Sequence, residues 1–257
     1  MGLLDGKNIL ITGVTMRTSI AYAAVEIAQR EGANVVVSAA GRAVAPAQRA
    51  IARLEQVPPL IEVDVTDPDH LAALPELLGQ HINGGLDGIV HSIAYADPEK
   101  ALGGAFLSTD WDTVANALHI SAYSLQSLTM AARPVLNRGA SVVGLTFDAT
   151  VSWPAYDWMG VAKAALESTS RYLARYLGPD GIRVNLVAAG PVDTVAKKAI
   201  PGASSFNDIW AERAPLSWDS SDAVPSAKAI VALLSDWFPA TTGEMVHVDG
   251  GLHSTGA

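Results

Sequence analysis

The sequence predicts an α/β fold, a doubly wound parallel sheet with helices on both faces. Three observations carry the prediction. Apolar runs of strand length alternate with longer stretches of helical period from one end of the chain to the other. The composition, 49% hydrophobic and only 17% charged, suits a buried sheet covered by helices. No linker, repeat or low-complexity block interrupts the alternation, so residues 1–257 read as one domain.

The first strand is predicted at residues 8–12 and its helix at 19–31, stopped by Gly32 as a glycine past the last turn stops a helix. A strand at 34–39, a helix at 45–54 and a strand at 60–64 follow. Thr66-Asp67-Pro68 starts a helix that runs to about residue 82, before the fourth strand at 88–91. Residues 110–137 carry helical periodicity with a bend, then come a strand at 140–146, a long helix at 159–177 and a strand at 183–188. A looser region, 190–218, precedes a helix at 221–234 and the last strand at 244–248. Such alternation implies right-handed crossovers.

The bulk numbers exclude several classes. A net charge of −9 argues against a nucleic-acid backbone as the main partner, although a local basic patch could still receive an acidic carrier protein. With no cysteine, disulfides, thiol catalysis and cysteine-type zinc sites are excluded. No apolar run reaches the roughly 18–20 residues that span a bilayer, and the start, MGLLDGKNILITG, reads as a first strand rather than a leader. A cytoplasmic protein is expected. No metal-ligand cluster is expected either, since His119 has no partner at ligand spacing.

Ligands of such sheets sit beyond the carboxyl ends of the strands, and the informative residues stand there. Gly13 permits a tight turn before a helix capped by Ser19 and begun by Ile20, where free amides and a positive helix end suit a pyrophosphate. A purely structural turn explains Gly13 equally well. Asp64, with Val65 after it, stands at a strand tip where its carboxylate could accept a hydrogen bond from an adenine amino group; helix capping is the alternative. Ser92, Ile93 and Ala94 are small enough at the fourth strand's end to let backbone approach a cofactor, and His91 before them reads as a packed or capping histidine. The most informative string is YDWMGVAK: Tyr156 and Lys163 lie two helical turns apart near one face. A nearby ammonium favours phenolate, so Lys163 is expected to lower the Tyr156 pKa. After the sixth strand, Gly190-Pro191 forces a turn that could bring Val192 and the Thr194 hydroxyl to a nicotinamide and pyrophosphate.

The strings GLLDGKNIL, LDGIVHSIA, HISAYS, PAYDWMGVAKAALES, NLVAAGP and ALLSDWFPATTG resemble the enoyl-acyl carrier protein reductases, a divergent branch of the short-chain dehydrogenase/reductases. The resemblance covers nearly the whole chain and is closest to the mycobacterial NADH-dependent members. A serine-isoleucine pair in place of further glycines after Gly13 is itself a mark of this branch. The resemblance implies a Rossmann-type fold and NADH-dependent reduction of the trans-2 double bond of an enoyl thioester. Tyr156, Lys163 and Phe147 would be catalytic. Gly13, Ser19, Ile20, Asp64, Val65, Ser92, Ile93, Ala94, Lys163, Gly190, Val192 and Thr194 would hold the cofactor. Tyr95, Met159 and Tyr156 would meet a substrate carried on acyl carrier protein or coenzyme A, within a homotetramer. Phe147 also reads as a core aromatic at a strand end.

Four departures qualify this. Met16 and Arg17 stand near the pyrophosphate where smaller or acidic residues are expected. The second strand ends in Ala39-Ala40-Gly41-Arg42, without an acid for a ribose 2′-hydroxyl; Arg42 could accept a 2′-phosphate, so NADPH stays open beside NADH. Thr146 replaces an acidic residue of the mycobacterial members. The substrate-binding segment, about 191–218, is shorter than theirs between Thr194 and Arg213, which points to short or medium chains or an unusual acyl group. Lys197, Lys198 and Arg213 in that segment are candidates for carrier contact or for a solvated face. The rivals are a carbonyl or alcohol dehydrogenase of the same superfamily and a noncatalytic dinucleotide binder. The first usually needs a serine or threonine where Val143 stands, flanked by Ser141 and Thr146.

Overall fold

A computed structural model describes residues 1–256. The elements are β1 (Asn8–Thr12), α1 (Ile20–Arg30), β2 (Asn34–Ala39), α2 (Val44–Ile51), β3 (Leu60–Glu62), α3 (Pro68–Gly79), β4 (Leu86–His91), α4 (Trp111–Leu118), α5 (Ser124–Ala132), β5 (Leu136–Thr146), α6 (Asp157–Leu177), β6 (Arg183–Ala189), α7 (Val195–Lys198), α8 (Ser204–Arg213), α9 (Val224–Leu234) and β7 (Met245–Val248). All seven strands pair in parallel, in the order β3-β2-β1-β4-β5-β6-β7. The order reverses between β1 and β4, and at such a switch point the connections leave in opposite directions and open a crevice.

Strand alternation sorts the core into two layers. Ile9 and Ile11 of β1, Val35 and Val37 of β2 and Val143 of β5 pack with α1 and α9. Their neighbours Leu10, Val36 and Val142 pack with α3, α5 and α6 on the other face. Each such burial contributes about 1.5–3 kcal/mol, so a one-residue slip of any central strand would exchange the two layers and is strongly disfavoured.

The structure departs from the sequence prediction at element ends. The stretch predicted as one bent helix is α4, a π-helical turn at His119–Tyr123, and α5. A 3₁₀ turn containing Pro134 ends it, because proline has no amide to continue the ladder. β5 therefore begins four residues earlier than predicted, at Leu136, which pairs with Leu86. β3 ends at Glu62. The region predicted as loose holds two helices, α7 and α8. α9 starts at Val224 because Asp219 and Asp222 turn the preceding chain by accepting from the Ser221 and Val224 amides, at 2.8 Å each. Among the described residues no helix is long and apolar enough to cross a membrane.

Candidate active site

The tip of β1 is fastened to the tip of β4. Thr12 Oγ1 donates to Val90 O at 3.0 Å and accepts from the Ser92 amide at 3.0 Å. Gly13 follows with φ +78°, and a Cβ there would lie 1.9 Å from Ser92 O. Only glycine permits both the turn and this approach. Ser19 caps α1, accepting from the Tyr22 amide at 3.2 Å and donating to Met16 O at 2.8 Å. The Ile20 and Ala21 amides are left at the open, positive end of an eleven-residue helix, the geometry that suits a phosphate. Thr18 Oγ1 reaches Asp193 O at 3.5 Å, which brings the β1–α1 turn to the end of β6, beside Val192. Gly13, Ser19, Ile20, Ser92, Val192 and Thr194 thus gather around the switch point. The bare Gly13 backbone lies directly against Ser92 O, which brings the first turn and the β4 tip together at the switch point, the place where open α/β sheets bind their ligands.

Asp64 and Val65 stand on the flank of this group. Asp64 Oδ1 accepts from the Thr66 amide at 2.9 Å and hydroxyl at 2.7 Å, and these bonds hold its carboxyl below the usual range. Capping of α3 falls instead to Asp67, which accepts from the Asp69 and His70 amides. At the tip of β2 the structure supplies an acid that the sequence of that strand lacks: Glu62, paired with Ala39 across β3, accepts from the Gly41 amide at 3.1 Å. Arg42 lies exposed in the same turn.

α6 carries Lys163 and has Tyr156 at its N-cap. Tyr156 and Lys163 are both buried, at 7% and 6% exposure. Lys163 Nζ donates to Leu145 O at 2.9 Å, and burial depresses its pKa to about 8. Burial, followed by the nearby Glu167 carboxylate, pushes the Tyr156 phenol well above its usual value. This corrects the expectation of a lowered phenol: Tyr156 is taken out of water, and the charge that bears on it is the Glu167 carboxylate, so both influences raise the value. At neutral pH Tyr156 is therefore a hydrogen-bond donor. The residues on either side of it, Ala155 (φ 59°) and Asp157 (φ 40°), hold left-handed backbone that non-glycine residues rarely adopt. The neighbouring loop holds this turn in place. Asp157 Oδ2 accepts from the Gly104 amide at 2.6 Å and the Ala105 amide at 3.1 Å, and Ala155 O accepts from Gly103 at 3.0 Å. Phe147 stacks at a tilt on Tyr156, centroids 5.2 Å apart. Met159 is buried in the same cluster, while Tyr95 is half-buried and anchored by its backbone to Ser121 Oγ.

Other candidates resolve plainly. His91 is wholly buried, its Nε2 2.7 Å from Ser124 Oγ; since Ser124 donates to Ile120 O, the histidine donates to Ser124. Burial and then the Lys163 charge hold it neutral, with a pKa of about 3. Val143 is fully buried, and the hydroxyls flanking it are engaged, Ser141 with Leu233 O and Thr146 with Glu167 Oε1, both at 2.9 Å. None offers the hydroxyl that a carbonyl reductase would present. Gly190 is fixed by packing, since a Cβ would lie 2.7 Å from Trp218. Thr194 caps α7, accepting from the Lys197 amide. Lys197 is not the solvated cation the sequence suggests: it turns inward to Asp193 Oδ1 at 2.6 Å and to Asn207. Arg213 Nη2 donates to Gly256 O at 2.9 Å, while Lys198 is exposed.

A family profile described as Enoyl-(Acyl carrier protein) reductase matches residues 13–253. The chain belongs to this family. It is 43% identical to an enoyl-[acyl-carrier-protein] reductase [NADH] of Mycolicibacterium smegmatis and 43% identical to one of Mycobacterium avium, with 97% of each chain covered in both cases. It is 35% identical to a Staphylococcus aureus relative named for NADPH, with 98% of both chains covered.

Three features of the site were not found by reading the sequence. Glu167, 6% exposed, stands one helical turn beyond Lys163 and accepts from Thr146 Oγ1 and, at 3.1 Å, from the Ala149 amide. Burial raises its pKa. Its spacing of four from Lys163 was the available signal. Glu62 was masked because its strand neighbour, not its own strand, carries the cofactor-facing tip. Phe206 and Trp210, on a helix the sequence did not reveal, pack on Phe147 at 5.5 and 5.6 Å.

Proposed function

We propose that this chain reduces the trans-2 double bond of an enoyl thioester, carried on acyl carrier protein or coenzyme A, in fatty-acid synthesis, with NADH as the cofactor. The observation that carries the proposal is the buried Tyr156, packed on Phe147 at the start of the helix that carries the buried Lys163. When bound, NADH supplies the hydride for the β-carbon. Gly13, Ser19, Ile20, Ser92, Ile93, Ala94, Val192 and Thr194 orient it from the switch point, Gly190 shapes the turn leading to them, and Asp64 and Val65 flank its adenine end. Glu62 at the β2 tip places a carboxylate where a ribose 2′-hydroxyl would bind and a 2′-phosphate would be repelled, which supports NADH over NADPH.

Tyr156 donates its hydroxyl hydrogen bond to the thioester oxygen. The negative charge that develops there as the β-carbon is reduced is then held by a donor already in place, in a site that excludes water. Its raised pKa keeps the proton on the phenol, so the hydroxyl acts as donor to the enolate oxygen and not as base, and a proton taken from solvent at the α-carbon completes the reduction. Lys163 holds the ribose and orients the local field, fixed by Leu145 O. Phe147, Tyr95 and Met159 line the acyl group.

The same proposal places the chain in the cytoplasm as a homotetramer. Trp111, Tyr172 and Tyr176, at 71%, 62% and 72% exposure on α4 and α6, give those helices an apolar outer face suited to a second copy. The test follows nicotinamide absorbance with a medium-chain trans-2-enoyl-coenzyme A ester, NADH and NADPH in turn, and Tyr156→Phe beside wild type. Turnover with NADH that falls at least about a hundredfold in the variant is the expected result. Cofactor binding without turnover overturns the proposal.

A further inference from the structure

α8 lays an aromatic wall over the candidate acyl site. Phe147 is ringed by Trp153 at 5.1 Å, Tyr156 at 5.2 Å, Phe206 at 5.5 Å and Trp210 at 5.6 Å. Trp153 and Trp210 also stack on each other at 5.2 Å, and Phe206 and Trp210 are each 2% exposed. Between Phe147, Trp153 and Trp210 and the tips of β6 and β7 lies a cavity of about 10 Å³, room for one water.

The wall is fastened. Trp210 Nε1 donates to Asp249 O at 3.0 Å, and Lys197 ties α7 to Asn207 of α8. On the far side, the loop that supports Tyr156 meets the connection between α7 and α8: a Cβ on Gly103 would lie 2.8 Å from Pro201. An acyl chain leaving Tyr156 therefore meets closed packing on both sides. A long chain must displace at least one large buried ring, whereas a short one needs no more than local adjustment.

We propose that Phe206, supported by Trp210, sets an upper limit on acyl length, and that the preferred substrates are compact enoyl thioesters. This rests on the enoyl reductase reading above. One pocket contact that rejects excess methylene groups discriminates by about tenfold or more. The experiment measures kcat/KM for trans-2-enoyl-coenzyme A esters of four, eight, twelve and sixteen carbons, with wild type, Phe206→Ala and Phe206→Leu. Melting curves accompany each variant, and the leucine form stands in should the alanine form not fold. Wild type should fall about tenfold or more between eight and sixteen carbons, and in the variants the ratio of short-ester to long-ester kcat/KM should shrink by most of that factor. A wild-type profile that is flat or rises to sixteen carbons overturns the limit alone. A falling wild-type profile that folded Phe206 variants leave unchanged overturns the assignment to Phe206. Absence of turnover on every ester overturns the enoyl reading together with the limit.

Discussion

Replacing Gly13 with alanine forces the turn after β1 away from β4. The new Cβ would stand 1.9 Å from Ser92 O, at least 1.1 Å inside the 3.0 Å limit that real Cβ contacts respect. Backbone at φ +78° adds left-handed strain. Strain of about 1–2 kcal/mol and overpacking of about 1–3 kcal/mol give a loss of roughly 2–5 kcal/mol, or roughly 4–20 °C in melting temperature for a chain of this size. Gly6→Ala is the control, because Gly6 has φ +73° but nothing within 4 Å of a Cβ, so it carries the strain without the clash. The assay pairs thermal melting with NADH titration and turnover. Gly13→Ala should melt below Gly6→Ala, bind NADH more weakly and lose roughly a hundredfold in rate, the cost of about 1 Å of misplacement. Equal melting and equal NADH affinity in the two variants would refute the packing argument.

The Lys163 pKa, lowered to about 8 against 10.5 in the unfolded chain, sets a pH dependence of stability. Because the folded value is depressed, the contribution is fully present above 10.5 and is lost as pH falls through about 8. Relative to Lys163→Met, wild type should gain roughly 3 kcal/mol across that window, read from melting curves between pH 7 and 11; a constant difference would count against it. Asp157→Ala removes the acceptor for the Gly104 and Ala105 amides. Cleavage by an added protease within residues 103–108 should quicken and stability should drop by about 1–3 kcal/mol; an unchanged cutting rate would show that the loop is held elsewhere.

Strands such as NILIT and NVVVSA were legible because both faces are covered, so the buried runs stand out from their surroundings. α8 was not, because SSFNDIWAER buries only Phe206 and Trp210 and so shows almost no apolar stripe. Tyr156 and Lys163 were legible as a pair, but the direction of the phenol's shift was not, because depth of burial is a property of tertiary packing. Lys197 and Glu167 misled or escaped for the same reason: a charged residue in a sequence reads as solvated until a partner from another turn or element is seen beside it.

The π-helical turn at His119–Tyr123 has a consequence for chain length. Ser121 holds the Tyr95 backbone through Oγ, and Ser124, just past the turn, holds His91. Both grips act on the segment that leads from β4 into the site. Each residue of a helix advances the face by about 100°, so removing a single residue between them would swing one serine away from its target while the other stayed engaged. Substitution can be absorbed position by position on this wall, but an insertion or deletion cannot. The stretch behaves as a gauge whose residue count, more than its side-chain chemistry, aligns the floor of the crevice with α6.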